Sequence, residues 1–150
     1  LLENGADPDT MSQRRFSGSC LQCTTPLADA ANHSDSTALQ LLLKHGAKID
    51  PEAIFHSIGI PRSRPAGTAT MQILIDQGAD VNHFSKRWCT PLYHAVHMNQ
   101  EDHVRLLLDH GAKPSVQSII GKISALDHAK EKGRMNLYEM IEASGSHGSP

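Results

Sequence analysis

Residues 90–115 read TPLYHAVHMNQEDHVRLLLDHGAKPS, and this stretch decides the fold. Thr90 offers a hydroxyl that can cap a helix starting at Pro91, and proline suits a first helical position because no backbone N–H is needed there. The pattern predicts a short helix over Pro91–Met98, a tight turn, and a second helix over Glu101–His110. Val104, Leu107 and Leu108 share one face of that second helix by i, i+3, i+4 spacing. Gly111 follows as a left-handed residue that ends it. Two small helices with one apolar face cannot bury that face alone, so the unit needs neighbours of its own kind.

The chain supplies them. The ending LLLDHGAKPS at 106–115 is echoed by LLENGADPD at 1–9, LLLKHGAKID at 41–50, ILIDQGADVN at 73–82 and a worn copy, MIEASGS, at 140–146. The glycines Gly5, Gly46, Gly78, Gly111 and Gly145 are 41, 32, 33 and 34 residues apart. The beginnings repeat in phase. Thr25-Pro26-Leu27 and Ser124-Ala125-Leu126 match Thr90-Pro91-Leu92, and each stands 21 residues before its glycine. A fixed period in this range marks stacked repeats.

Working outward, the 150 residues carry 39% apolar but only 4% aromatic side chains. A core of Leu, Ile, Val and Ala suits small packed helices. The formal charge of −2 gives no case for nucleic-acid binding. No apolar run approaches the ~20 residues of a membrane span. Three cysteines, Cys20, Cys23 and Cys89, leave one over in any disulfide scheme, which points to a reducing, intracellular compartment (cytoplasm or nucleus). Leu1 and Leu2 read as the last turn of a helix, so the chain is expected to be a fragment of a longer array.

A period near 33, a T-P-L-x-x-A helix start and an L-L-L-x-x-G-A-D ending resemble the ankyrin repeat. The resemblance covers essentially the whole chain. It implies an all-α solenoid of helix–turn–helix units with finger loops, divided into a partial repeat at 1–9 and repeats at 10–50, 51–82, 83–115 and 116–150, the last a cap with a flexible tail from Ser144. Further helices are expected at Pro26–His33, Ser36–His45, Glu52–Ile58, about Ala69–Gln77, Ala125–Glu131 and Met135–Ala143. The leucine runs 41–43 and 106–108 supply buried area, worth roughly 1.5–3 kcal/mol per fully buried side chain.

Departures from the pattern carry the functional information. The first finger holds about eight extra residues, judged against the ~33-residue period, in MSQRRFSGSCLQCT (11–24). The second unit has a shortened finger and an enlarged, proline-punctuated turn at 59–67. The histidine that the family places directly after T-P-L is absent, with Ala28, Tyr93 and Asp127 in its place, while His94 and His128 sit one residue later. Trp88 stands at a finger tip where such repeats commonly have glycine, either folded back on the neighbouring finger or open to a partner. Asn82 fits the family's turn asparagine, often structural and sometimes a hydroxylation target; here it is read as structural.

Catalytic and metal chemistry find little support. No G-x-S-x-G and no glycine-rich phosphate loop is present, so the chain is read as non-enzymatic and free of cofactors. Cys20-x-x-Cys23 with His33 resembles half a zinc site without a second ligand pair. His94 and His97 have ligand spacing but no third partner. The pairs Arg14/Arg15, Arg62/Arg64 and Lys86/Arg87 fall in loops, as solvated charge or as the rim of a contact surface.

In the family, partners bind the concave face of finger tips and first helices. The resemblance therefore implies a protein partner meeting Lys86, Arg87, Trp88, Tyr93, His97 and Met98, with Asn32 and His33 from the first repeat and Lys122 and Lys130 from the last. No membrane or nucleic-acid partner is expected. The rival readings are a structural spacer between domains of a larger protein, and a metal-binding module at Cys20 and Cys23.

Overall fold

A computed structural model of the chain describes residues 4–10, 12–16, 20–33, 35–59, 67–119 and 121–147. It resolves into two compact units, Leu1–Ala79 and Asp80–Pro150. Expectations at Leu1–Leu2, at residues 60–66 of the enlarged turn, and so at Arg62 and Arg64, lie outside the described residues.

The first unit opens with β1 (Ser12–Phe16) and β2 (Cys20–Thr24). They pair antiparallel, with Ser12 opposite Thr24 and Phe16 opposite Cys20. The inserted finger therefore carries a ladder between these two strands. A long insertion must find partners for its backbone N–H and C=O groups, and a ladder provides them. Helices α1 (Pro26–Ala31) and α2 (Thr37–Lys44) follow, then α3 (Ala53–Ile58) and α4 (Thr68–Asp76). Thr25 caps α1 by accepting from the Ala28 N–H, and its own hydroxyl donates to the Asp50 carboxylate at 2.7 Å. Leu27, Ala30, Ala31, Leu39, Ala53 and Leu74 form one buried cluster. The alanines there let helix backbones approach closely.

The second unit contains α5 (Pro91–His97), α6 (Glu101–Asp109), α7 (Ala125–Glu131) and α8 (Met135–His147). Thr90 caps α5 through the Tyr93 N–H. Ser124 and Asp127 form a reciprocal capping box on α7. Leu92, Val96, Val104, Leu107, Leu137 and Ile141 are buried.

The shared endings have one geometry. After α6, Gly111 has φ +82, its N–H donates to the Leu108 carbonyl, and Ala112 N–H donates to Leu107. Gly46-Ala47 and Gly78-Ala79 repeat both bonds. Two hydrogen bonds thus satisfy carbonyls that a helix end would leave open. Gly145 departs from this scheme. It lies inside α8, which runs on to His147, so neither the expected stop nor the flexible tail begins at Ser144. The Ser144 hydroxyl bonds back to the Ile141 carbonyl at 3.1 Å, a local contact compatible with continued helix.

Candidate functional site

The third repeat's finger is closed by paired backbone bonds between Ser85 and Cys89, at 2.8 and 2.9 Å. The Ser85 hydroxyl accepts from the Arg87 and Trp88 N–H groups across the tip. The left-handed residue is Cys89 (φ +68), directly after Trp88. The Cys89 side chain is buried, and burial pushes its thiol pKa up, so it stays protonated and unreactive.

This turn sets the direction of Trp88. Its ring packs on the His94 imidazole of its own unit, with centroids 4.8 Å apart. The Arg87 guanidinium covers the indole at 4.5 Å from its centre, a cation–π contact. Trp88 is half-buried in a third arrangement, beyond the two expected from sequence. Lys86 and Arg87 remain exposed at the tip.

One turn along α5, Tyr93 and His97 face a single imidazole from α7. The His128 ring lies 4.8 Å from Tyr93 and 5.4 Å from His97, centre to centre. His97 Nδ1 is 3.3 Å from His128 Nε2, and Tyr93 Oη is 3.5 Å from His128 Nδ1. Burial lowers the His128 pKa, and the neighbouring His97, Lys132 and Arg134 lower it further, with Glu131 opposing. His128 is therefore neutral near pH 7 and bridges two side chains from α5. Arg134 completes the cluster. Its guanidinium donates to the Val96 and His97 carbonyls, the last of α5, where positive charge also suits the helix dipole.

Of the residues expected at a partner surface, Lys86, Arg87, Trp88, Tyr93, His97, Met98, Lys122 and Lys130 lie in the second unit. Lys86, Arg87, His97, Lys122 and Lys130 are exposed there, while Trp88, Tyr93 and Met98 are half-buried. Lys122 sits in the last finger with φ +52, beside Gly121. Asn32 and His33 belong to the first unit, at the end of α1. The His33 carbonyl accepts from the Thr70 hydroxyl at 3.2 Å, and Asn32 Oδ1 is buried without a hydrogen-bond partner among the described residues.

The sequence reading missed three contributors. His128 and Arg134 support the surface from behind, and Ile119 is 61% exposed in the last finger. The shared placement of His94 and His128 four residues after Thr90 and Ser124 was the available signal for the first. Nothing in the pattern marked Arg134, whose contact is to backbone. Asn82 is structural in the described geometry. Its Nδ2 donates to the Gly111 carbonyl at 3.2 Å and its Oδ1 accepts from the Lys113 N–H at 2.8 Å, tying one finger base to the next.

At Cys20 and Cys23 the backbone is an extended strand. Residues three apart on a strand are about 10 Å apart, whereas chelation by Cys-x-x-Cys needs a turn. Among the described residues, no group of three or more His, Cys, Asp or Glu converges as metal ligands would. No helix among them is long and apolar enough to cross a membrane.

Comparison with known proteins decides the family. A family model described as ankyrin repeats (3 copies) matches residues 65–118. The chain is built of ankyrin repeats. It is 36% identical over 145 residues to the ankyrin repeat protein nuc-2 of Neurospora crassa, covering 94% of this chain and 13% of that protein. It is 34% identical over 116 residues to the probable E3 ubiquitin-protein ligase XBOS34 of Oryza sativa subsp. japonica, covering 74% of this chain and 22% of the relative. The crystal structure of the ankyrin repeat domain of Bcl-3, a unique member of the IkappaB protein family, superposes with a TM-score of 0.74 at 27% identity, over 96% of this chain and 62% of that one. The chain thus spans less than a quarter of the length of the Neurospora crassa and Oryza sativa relatives it matches. Ankyrin repeats are in general non-catalytic modules of protein–protein interaction.

Proposed function

We propose that this ankyrin chain binds a protein partner on the finger and first-helix face of its second unit, without catalysis. The observation that carries the reading is the ordered surface around α5. Arg87, Trp88 and His94 stack on one side, and Tyr93 and His97 rest on His128 on the other. Side chains held in place before binding lose less entropy on association. Trp, Tyr and Arg are also the usual interface anchors. The partner meets Arg87, Trp88, Tyr93 and His97 at the centre and Lys86, Met98, Lys122 and Lys130 around them. Asn32 and His33 form the corresponding contact in the first unit. A match that covers 22% of a probable E3 ubiquitin-protein ligase fits a recognition element within a longer chain. The free, buried Cys89 thiol fits an intracellular setting.

The test is Trp88→Ala with Tyr93→Ala. A partner isolated by crosslinking is expected to lose at least about tenfold in affinity. Unchanged binding sinks the assignment of this face. The spacer reading gains if the chain retrieves no partner while the longer protein containing it does.

A further inference from the structure

We infer that the second unit's face takes an acidic peptide segment carrying an apolar side chain, an inference that rests on the docking face proposed above. Charge is distributed unevenly in this unit. Residues 81–100 and 110–126 hold Lys86, Arg87, Lys113 and Lys122, and neither stretch contains an Asp or Glu. These stretches are the two fingers and α5. The unit's carboxylates lie outside these stretches: Asp80 at the base of the first of these fingers, Glu101, Asp102 and Asp109 on α6, Asp127 and Glu131 on α7, and Glu139 and Glu142 on α8. Several already have local partners. Glu101 bonds Arg105 and Asn136, and Glu142 accepts from Tyr138. Asp127, beside the last finger, is engaged in capping Ser124.

Lys86, Arg87 and Lys122 are thus exposed at the finger tips, and Asp80, the one carboxylate in the loop of Lys86 and Arg87, accepts from the Asn82 N–H at the base of that finger at 2.8 Å. A partner's carboxylates would supply that charge, and like-charged partners would be repelled. The same tips expose apolar area, with Ile119 at 61% and Phe84 at 39%. Cations interleaved with isolated apolar side chains suit an acidic segment with a Leu, Met or aromatic residue among its carboxylates. Nucleic acid suits the face less well, because three tip cations are few for tracking a phosphate backbone.

Selection from a random twelve-residue peptide display library against the full 150-residue chain tests this. Enriched peptides are expected to combine several Asp or Glu with an apolar residue. A synthetic peptide of the enriched sequence should lose at least about tenfold in affinity to Lys86→Glu/Arg87→Glu or to Lys122→Glu, and little to Glu139→Lys on α8. Circular dichroism checks that each variant folds. Raising ionic strength from about 0.1 M to about 1 M shortens the screening length from about 10 Å to about 3 Å and should weaken binding further. Neutral or basic peptides that still need Trp88 overturn the acidic inference and leave the docking face standing. Peptides indifferent to every substitution on the face overturn both. No enrichment, or tighter binding of a single-stranded RNA oligonucleotide than of any peptide, also overturns the inference.

Discussion

The two units follow the same repeat frame by different means. In the second, each first helix opens on a side-chain cap, Thr90 on α5 and the Ser124–Asp127 box on α7. In the first, α1 is capped by Thr25, but α3 follows Glu52, which makes no side-chain capping bond. Helix α3 is instead buried at all six positions, Ala53 to Ile58. Local signals hold the frame in one case and burial holds it in the other. The consequence is functional. Where caps fix the helices, unusual residues such as Trp88, His97 and Lys122 can stand at tips and helix faces. Where burial fixes them, an unusual residue such as Phe55 is turned inward and is lost to recognition.

The largest expected effect breaks this comparison at its buried side. Phe55 is fully buried. Phe55→Ala should cost about 3–5 kcal/mol, the range for deleting a buried aromatic ring. Urea denaturation measures it, and hydrogen exchange should show protection lost in α1, α3 and α4. A cost below about 1 kcal/mol, the level of an ordinary substitution, would mean that α3 is held by its local sequence after all.

A smaller effect tests the capped side. Arg134 donates to the last carbonyls of α5, so it closes the end of the helix that Thr90 opens. Hydrogen bonds from a charged donor contribute about 1.5–3 kcal/mol, and Arg134→Ala should cost an amount in that range. Arg134→Lys should recover only part of it, because an ammonium lacks the planar fork that reaches two carbonyls together. Equal melting temperatures for all three proteins would reduce the contact to surface decoration and leave Thr90 as the main local anchor of α5.

Much of the frame was legible because it is written locally and repeated. Thr90, Pro91 and Gly111 each state a backbone requirement, and two further copies in phase turn a suggestion into a pattern. The pairing of Ser12–Phe16 with Cys20–Thr24 was not legible in the residues themselves, since strand pairing depends on a partner segment and SQRRF has no alternating apolar face to announce it. The continuation of α8 through Gly145 was missed because glycine permits a left-handed stop without imposing one. In the candidate site, Arg87, Trp88, Tyr93 and His97 could be placed by phase. Their mutual arrangement could not, because Trp88 lies on His94, four residues beyond the finger's closing Cys89–Thr90 step, and His97 meets His128 31 residues away.

The smallest effect concerns pH, and it sharpens the contrast at one shared helix position. His56, His94 and His128 occupy the same place in their helices, and all three are buried. His128 has a pKa lowered from 6.5 by burial first, then by His97, Lys132 and Arg134, with Glu131 acting the other way. Tyr93 also faces the ring. Below the unfolded value of 6.5 the unfolded chain takes up a proton at this residue that the folded chain resists. The stability contributed by neutral His128 is complete above that pH and is lost as pH falls through the lowered folded value. Thermal melts across the range in which histidine titrates should show the midpoint falling with acid, and His128→Gln should flatten that slope. The charge that His128 takes up in acid would sit beside His97, Lys132 and Arg134, the neighbours that already hold its pKa down. Acid should therefore loosen the contact between α5 and α7 before it unfolds the unit, visible as faster hydrogen exchange at the end of α5. An unchanged slope in His128→Gln would move the pH dependence to other histidines and remove His128 as the support of this face.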